Sequence, residues 1–97
     1  MTLDDLTPEI KEAIKAIAAQ HGAVNVRVFG SVANGQADHN SDLDLLVDYE
    51  LENISPWFPV RLIRDLEKFL GVKVDVVTTE GLKPRIRNQV LQDCLIL

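Results

Sequence analysis

SDLDLLV, residues 41–47, places leucine or valine at Leu43, Leu45 and Val47 and an aspartate at Asp42 and Asp44. Successive side chains of a strand point to opposite faces, so the three apolar residues predict a buried face and the two aspartates project together from the other. Their Cα atoms would lie about 6.5–7 Å apart, near enough for both carboxylates to meet one cation. Like charges side by side on a strand destabilise it unless something compensates them. A divalent metal ion is the obvious compensator.

The strand is expected to run from Leu43 to Tyr49. Downstream, VKVDVV (72–77) reads as another, with Val72, Val74 and Val76 on one side and Asp75 on the other. An aspartate inside so apolar a strand is costly if buried alone. If this strand lies beside the first, Asp75 joins Asp42 and Asp44; the plainer alternative is an ion pair with Lys73. Three carboxylates with water and phosphate oxygens suit Mg²⁺, which keeps several non-protein ligands. Upstream, Phe29-Gly30-Ser31 joins a strand to a turn. Glycine lets an anion approach the backbone, amides at a helix start favour negative charge, and Ser31 adds a hydroxyl. A simple helix cap is the rival reading of Ser31.

The remaining elements follow from periodicity. Thr7 suits an N-cap and Pro8 a first helical position, and Ile10, Ala13, Ile14, Ile17 and Ala18 form one stripe, predicting a helix to Gln20 closed by Gly22. Val24, Val26 and Val28 alternate through a strand to Phe29, a short helical turn follows over Ser31–Asn34, and residues 35–41 form a polar loop. Residues 51–55 are a connector. Pro56 opens a helix to Leu70 with Val60, Ile63, Leu66, Phe69 and Leu70 inward, and Gly71 closes it. Trp57 and Phe58 suit either the core or a partner surface, and the core is the expectation. A loop over Thr79–Lys83 leads to a last helix from Pro84 to about Cys94. This order predicts a small α/β (α+β) domain over residues 1–97, with helices flanking a mixed β-sheet.

Composition narrows the class. A net charge of −5 over 97 residues argues against direct nucleic-acid binding, which needs a basic face. Six acids and no lysine or arginine lie between Asp38 and Glu52, whereas Lys83, Arg85 and Arg87 form a basic patch suited to a triphosphate or an acidic partner. The one cysteine, Cys94, rules out an internal disulfide and a zinc site built on several cysteines. The acidic N-terminal stretch does not resemble a secretion signal, and no apolar run approaches the ~20 residues that span a bilayer. A cytoplasmic protein with no membrane partner is expected. Asp48, His21, His39, Arg61 and Arg64 are read as exposed.

Gly-Ser, a short polar loop, Ser-Asp-x-Asp-Leu on a strand and a late aspartate on another form an ordered set. GSVANG (30–35) followed by SDLDLLV closely resembles the signature of the DNA polymerase β-like nucleotidyltransferases. More narrowly, with VKVDVVT (72–78) and LKPRIR (82–87), the chain looks like the minimal nucleotidyltransferases paired with HEPN-domain toxins as antitoxins. The resemblance implies two Mg²⁺ ions held by Asp42, Asp44 and Asp75, and a triphosphate held by Gly30 and Ser31. It implies transfer of AMP from ATP to a tyrosine of the HEPN ribonuclease, within a hetero-oligomer. The family pattern commonly has arginine where Asn34 stands, which removes a cation from this region. Two alternatives stay open: an antitoxin acting by binding alone, and nucleotide transfer to a small molecule.

Overall fold

A computed structural model describes all residues from Met1 to Leu97. Thr7 caps α1 (Pro8–Gln20), its Oγ1 accepting the Ile10 amide at 3.3 Å, and the helix buries Ile14 and Ala18. Strand β1 (Ala23–Phe29) pairs antiparallel with β2 (Leu43–Tyr49). A single helical turn, α2 (Gly30–Ala33), leaves the end of β1. From β2 the chain crosses through α3 (Val60–Leu70) to β3 (Val74–Thr78), which lies parallel to β2. Helix α4 (Pro84–Asp93) then leads to β4 (Leu95–Ile96), antiparallel to β1. The mixed sheet runs β3-β2-β1-β4.

Helices α1 and α3 cover one face. There Leu43, Leu45 and Val47 of β2 are fully buried with Val28, Ile14, Leu62 and Leu66, as the alternation of β2 requires. Leu46 points to the other face yet is also fully buried; the turn Thr79–Gly81 packs against β2 on its way to the buried Leu82. That second face is therefore apolar in its middle and polar at both ends. No helix is long and apolar enough to cross a membrane.

Several local expectations are corrected. Val24 does not share a face with Val26 and Val28. The register slips between Val24 and Arg27, with Asn25 at φ +53°, so Val24 pairs with Asp48 while Ala23, Val26 and Val28 are buried. One extra residue in a bulge moves everything before it to the opposite side.

Helix α3 begins at Val60, after turns over residues 56–59, and its inward residues are Leu62 and Leu66, flanked by Ile63 and Leu70. Val60 and Phe69 are exposed. Steps of three residues each fall about 60° short of a full helical rotation, so three steps carry Phe69 to the side opposite Val60. Trp57 is 62% exposed and not core, whereas Phe58 packs on the core and against the Tyr49 ring at 5.7 Å. The strand β4 had no sequence signal: two residues carry no period, and the open edge of β1 recruits them.

Candidate active site

The parallel register of β2 and β3 sets Asp44 directly beside Asp75. Residues at matched positions of neighbouring strands project to one face, and Asp42, two before Asp44, falls on the same face. The three aspartates of the sequence reading are thus brought together, opposite the helices. Asp44 is half-buried, while Asp42 and Asp75 are exposed. Burial, then the charges of Asp75 and Asp42, push the Asp44 carboxyl above the usual carboxylate range. The ion pairs of the chain are Lys15–Glu12, His21–Asp65 and Arg27–Asp48, so none of the three aspartates has a cationic partner, Lys73 included.

These carboxylates stand side by side without closing into a ready-made ligand cage. The donor set is all oxygen with up to three negative charges on one face, which fits a hard divalent cation such as Mg²⁺. A cation there would reverse the cost of ionising Asp44.

Gly30 meets this cluster from the β1 side, since Phe29 pairs with Asp44. Its φ is +74°, and a Cβ built on it would collide with Asp44 Oδ2. Both facts favour glycine: the first because side chains rarely tolerate left-handed backbone, the second because a Cβ would force the Asp44 carboxylate to move. The turn α2 starts here with Phe29, not Ser31, at its N-cap, so Ser31 does not cap it. The Ser31 carbonyl accepts the Gln36 and Ala37 amides at 3.0 and 3.1 Å, tying down the following loop. Asn34 ends the turn, exposed, its amide donating to the Gly30 carbonyl at 3.1 Å.

The approach to Asp42 is also fixed. Asp38 Oδ1 accepts the Asn40 amide at 2.8 Å, Ser41 Oγ accepts the Asp38 amide at 3.0 Å, and the Met1 ammonium donates to the Asp38 and Ser41 carbonyls. This closed turn lies outside the sequence-based expectations. Its signal is Asp38 three residues before Ser41, a pairing suited to closing a turn.

At the far end of the same face, Asp48 is not simply exposed, as the sequence suggested. It accepts Thr79 Oγ1 at 2.7 Å and Asn25 Nδ2 at 3.0 Å, and lies 3.2 Å from Arg27 Nη2. The Thr79 hydroxyl foremost, with Asn25 and the Arg27 charge, holds its carboxyl below the usual range. This network joins β1, β2 and the turn after β3. His21 is likewise engaged, its Nε2 2.7 Å from Asp65 Oδ2, while His39 is exposed as expected. Arg61 and Arg64 line the largest recess, about 720 Å³, with His21, Asp65, Glu67 and Lys68. That recess lies over α3, away from the carboxylates. Lys83, Arg85 and Arg87 are exposed at the start of α4 and pair with none of the three aspartates.

The family described as "Nucleotidyltransferase domain" matches residues 10–97. A Methanocaldococcus jannaschii protein named as a candidate protein adenylyltransferase is 36% identical over 87 residues, covering 90% of this chain and 92% of that protein. Protein adenylyltransferase MntA of Thermococcus cleftensis is 34% identical, covering 96% of this chain and 93% of its own. A solved structure described as a candidate minimal nucleotidyltransferase superposes with a TM-score of 0.83 at 49% identity, over 100% of this chain and 97% of that one. A toxin–antitoxin structure with AMP-PNP shares the fold at a TM-score of 0.74 and 20% identity, over 89% of this chain and 70% of its own.

Proposed function

The chain belongs to the nucleotidyltransferase domain family, and from that premise we propose that it transfers AMP from ATP to a hydroxyl of a partner protein, with Mg²⁺ as cofactor. The observation that carries this reading is the Asp44–Asp75 register, with Gly30 at the end of β1 packed against Asp44.

Asp42 and Asp44 would hold both metal ions, and Asp75 would hold the one nearer the acceptor. When bound, such ions supply charge neutralisation for the attacking and leaving oxygens. Gly30 presents its backbone to the triphosphate without a side chain in the way, and Ser31 offers a hydroxyl to a phosphate oxygen. Asp75, on the outer strand, helps take the acceptor's proton. Positioning and charge compensation do most of the work in such transfers.

Two relatives named for protein adenylyl transfer, one of them as a candidate, favour a protein acceptor. The recess beside Asp42 is open and mostly polar, unlike a pocket that encloses a small molecule. Resemblance to the minimal nucleotidyltransferases, together with the fold shared with a toxin–antitoxin structure, supports an antitoxin acting on a HEPN ribonuclease.

The test is incubation with Mg²⁺ and a candidate HEPN-domain partner protein, using ATP labelled on either the α- or the γ-phosphate. Label from the α-phosphate alone is the expected result. Label from the γ-phosphate, or none while the complex still forms, would replace this reading with phosphoryl transfer or with inhibition by binding.

A further inference from the structure

Strand register sets the order of groups across the carboxylate face. Gly30 and Ser31 flank Asp44 on the β1 side, and Asp75 flanks it on the β3 side. One position earlier, the Leu43 amide donates to the Lys73 carbonyl at 2.9 Å, and the Leu43–Val74 and Asp44–Asp75 pairs put Lys73 flush with Asp42. Alternation then gives Lys73 the same face as Asp75. Lys73 and Asp42 line one open recess of about 420 Å³, with His39, Asn40 and Ser41. Because β3 is an edge strand, no further strand shuts this side.

Lys73 has the charge this region lacks. Arg27 shares the face but is already bound to Asp48 and Thr79. Lys73 makes no ion pair, although Asp75 is two residues away. An exposed, unpaired cation at the rim of an acidic face is open to an incoming anion.

The direction of attack decides which anion. In phosphoryl transfer the attacking and leaving oxygens lie roughly in line through phosphorus. With the diphosphate departing on the Gly30–Ser31 flank, the acceptor hydroxyl must arrive from the β3 side, and the recess lies at the entry to that side, between residues 39–42 before β2 and residues 71–73 before β3. We propose that this recess is the acceptor subsite, and that Lys73 positions an acidic protein segment bearing the hydroxyl. The inference rests on the nucleotidyl-transfer reading. The acceptor oxygen bonds to the α-phosphorus, the bond from that phosphorus to the oxygen bridging to the β-phosphate breaks, and diphosphate leaves with the electron pair. The hydroxyl proton passes to Asp75. Lys73 contacts the flanking carboxylates, not the reacting atoms, and is a positioning residue.

Amide NMR on the full chain tests this in two steps. Mg²⁺ with AMP-PNP should shift Gly30 and Ser31; absence of that shift counts against the nucleotide reading alone. The peptide Glu-Glu-Tyr-Glu-Glu should then shift residues 39–42 and 71–73, whereas versions with alanine or lysine around the tyrosine should not. Lys73→Met should weaken the acidic peptide about fivefold, the scale of one exposed ion pair, with nucleotide shifts unchanged and Lys73→Arg restoring the affinity. Equal binding by Lys73→Met and the parent chain, equal binding of all three peptides, or shifts elsewhere would overturn the proposal. Weakened nucleotide binding in Lys73→Met would also overturn it, by assigning Lys73 to the triphosphate.

Discussion

Gly30 and Asp44 meet across the β1–β2 pair so closely that a methyl group on residue 30 would overlap Asp44 Oδ2. Gly30→Ala therefore has two effects. Left-handed backbone with a Cβ costs about 1–2 kcal/mol, and the displaced Asp44 carboxylate leaves its place beside Asp75. Transfer should fall by about 100-fold or more, as expected for a reacting group misplaced by roughly an ångström. Thermal melts alongside transfer rates separate the two; a variant that melts lower but transfers normally would remove Gly30 from the site.

Asp44→Asn should abolish transfer yet raise the melting temperature in EDTA. Asp44 ionises against burial and two neighbouring carboxylates. Neutralising it relieves repulsion worth up to about 1 kcal/mol without metal. Mg²⁺ should then stabilise the parent chain more than the variant. A lower melting temperature in EDTA, or undiminished transfer, would count against the metal-site assignment.

Asp48 should govern acid stability. Its folded carboxyl titrates below the ordinary value of 3.8, because Thr79, Asn25 and Arg27 favour the charged form. Its contribution is fully present above that value and is lost as pH falls through the lower folded value, where the native carboxylate finally takes up a proton. Asp48→Asn should flatten this acid limb and cost about 1 kcal/mol at neutral pH, partly by leaving Arg27 unpaired. Melting curves between pH 2 and pH 7, roughly the range over which such carboxylates titrate, check the sign. An unchanged acid limb would show that other carboxylates control it.

Asn34→Arg should speed transfer without stabilising the fold. Asn34 is exposed at the end of the turn that begins at Gly30. A guanidinium there can meet a phosphate oxygen or orient a carboxylate. A gain of about tenfold corresponds to roughly 1.4 kcal/mol in the transition state. Single-turnover rates with parallel melts decide between this and a structural arginine, which would raise the melting temperature and leave turnover unchanged.

Much of the geometry of the candidate site is legible in the sequence because its residues lie on short, strongly patterned segments. Alternation alone sets Asp42 and Asp44 on one face, and Gly30-Ser31 ends a strand whatever its neighbours are. The errors share a different cause. Val24 was misplaced because a bulge at Asn25 leaves no mark on a valine pattern. Val60 and Phe69, expected in the core, fall outside it because spacing by threes mimics a stripe locally and drifts over a whole helix. Asp48 was undervalued because its partners, Asn25, Arg27 and Thr79, come from other segments.

What the amino-acid order determined by itself was therefore local: which side chains share a face, where helices start, and which residue types could hold a metal ion or a phosphate. Tertiary structure decided what stands beside what. Parallel pairing of β2 and β3 brought Asp75 to Asp44 and Lys73 to Asp42, and edge pairing made a strand of Leu95 and Ile96. Periodicity acts through bonds along one chain segment, whereas register between strands is selected by burying Leu43, Leu45, Val74 and Val76 together under α1 and α3. That burial is a property of the assembled core, and the carboxylates on the opposite face take their positions from it.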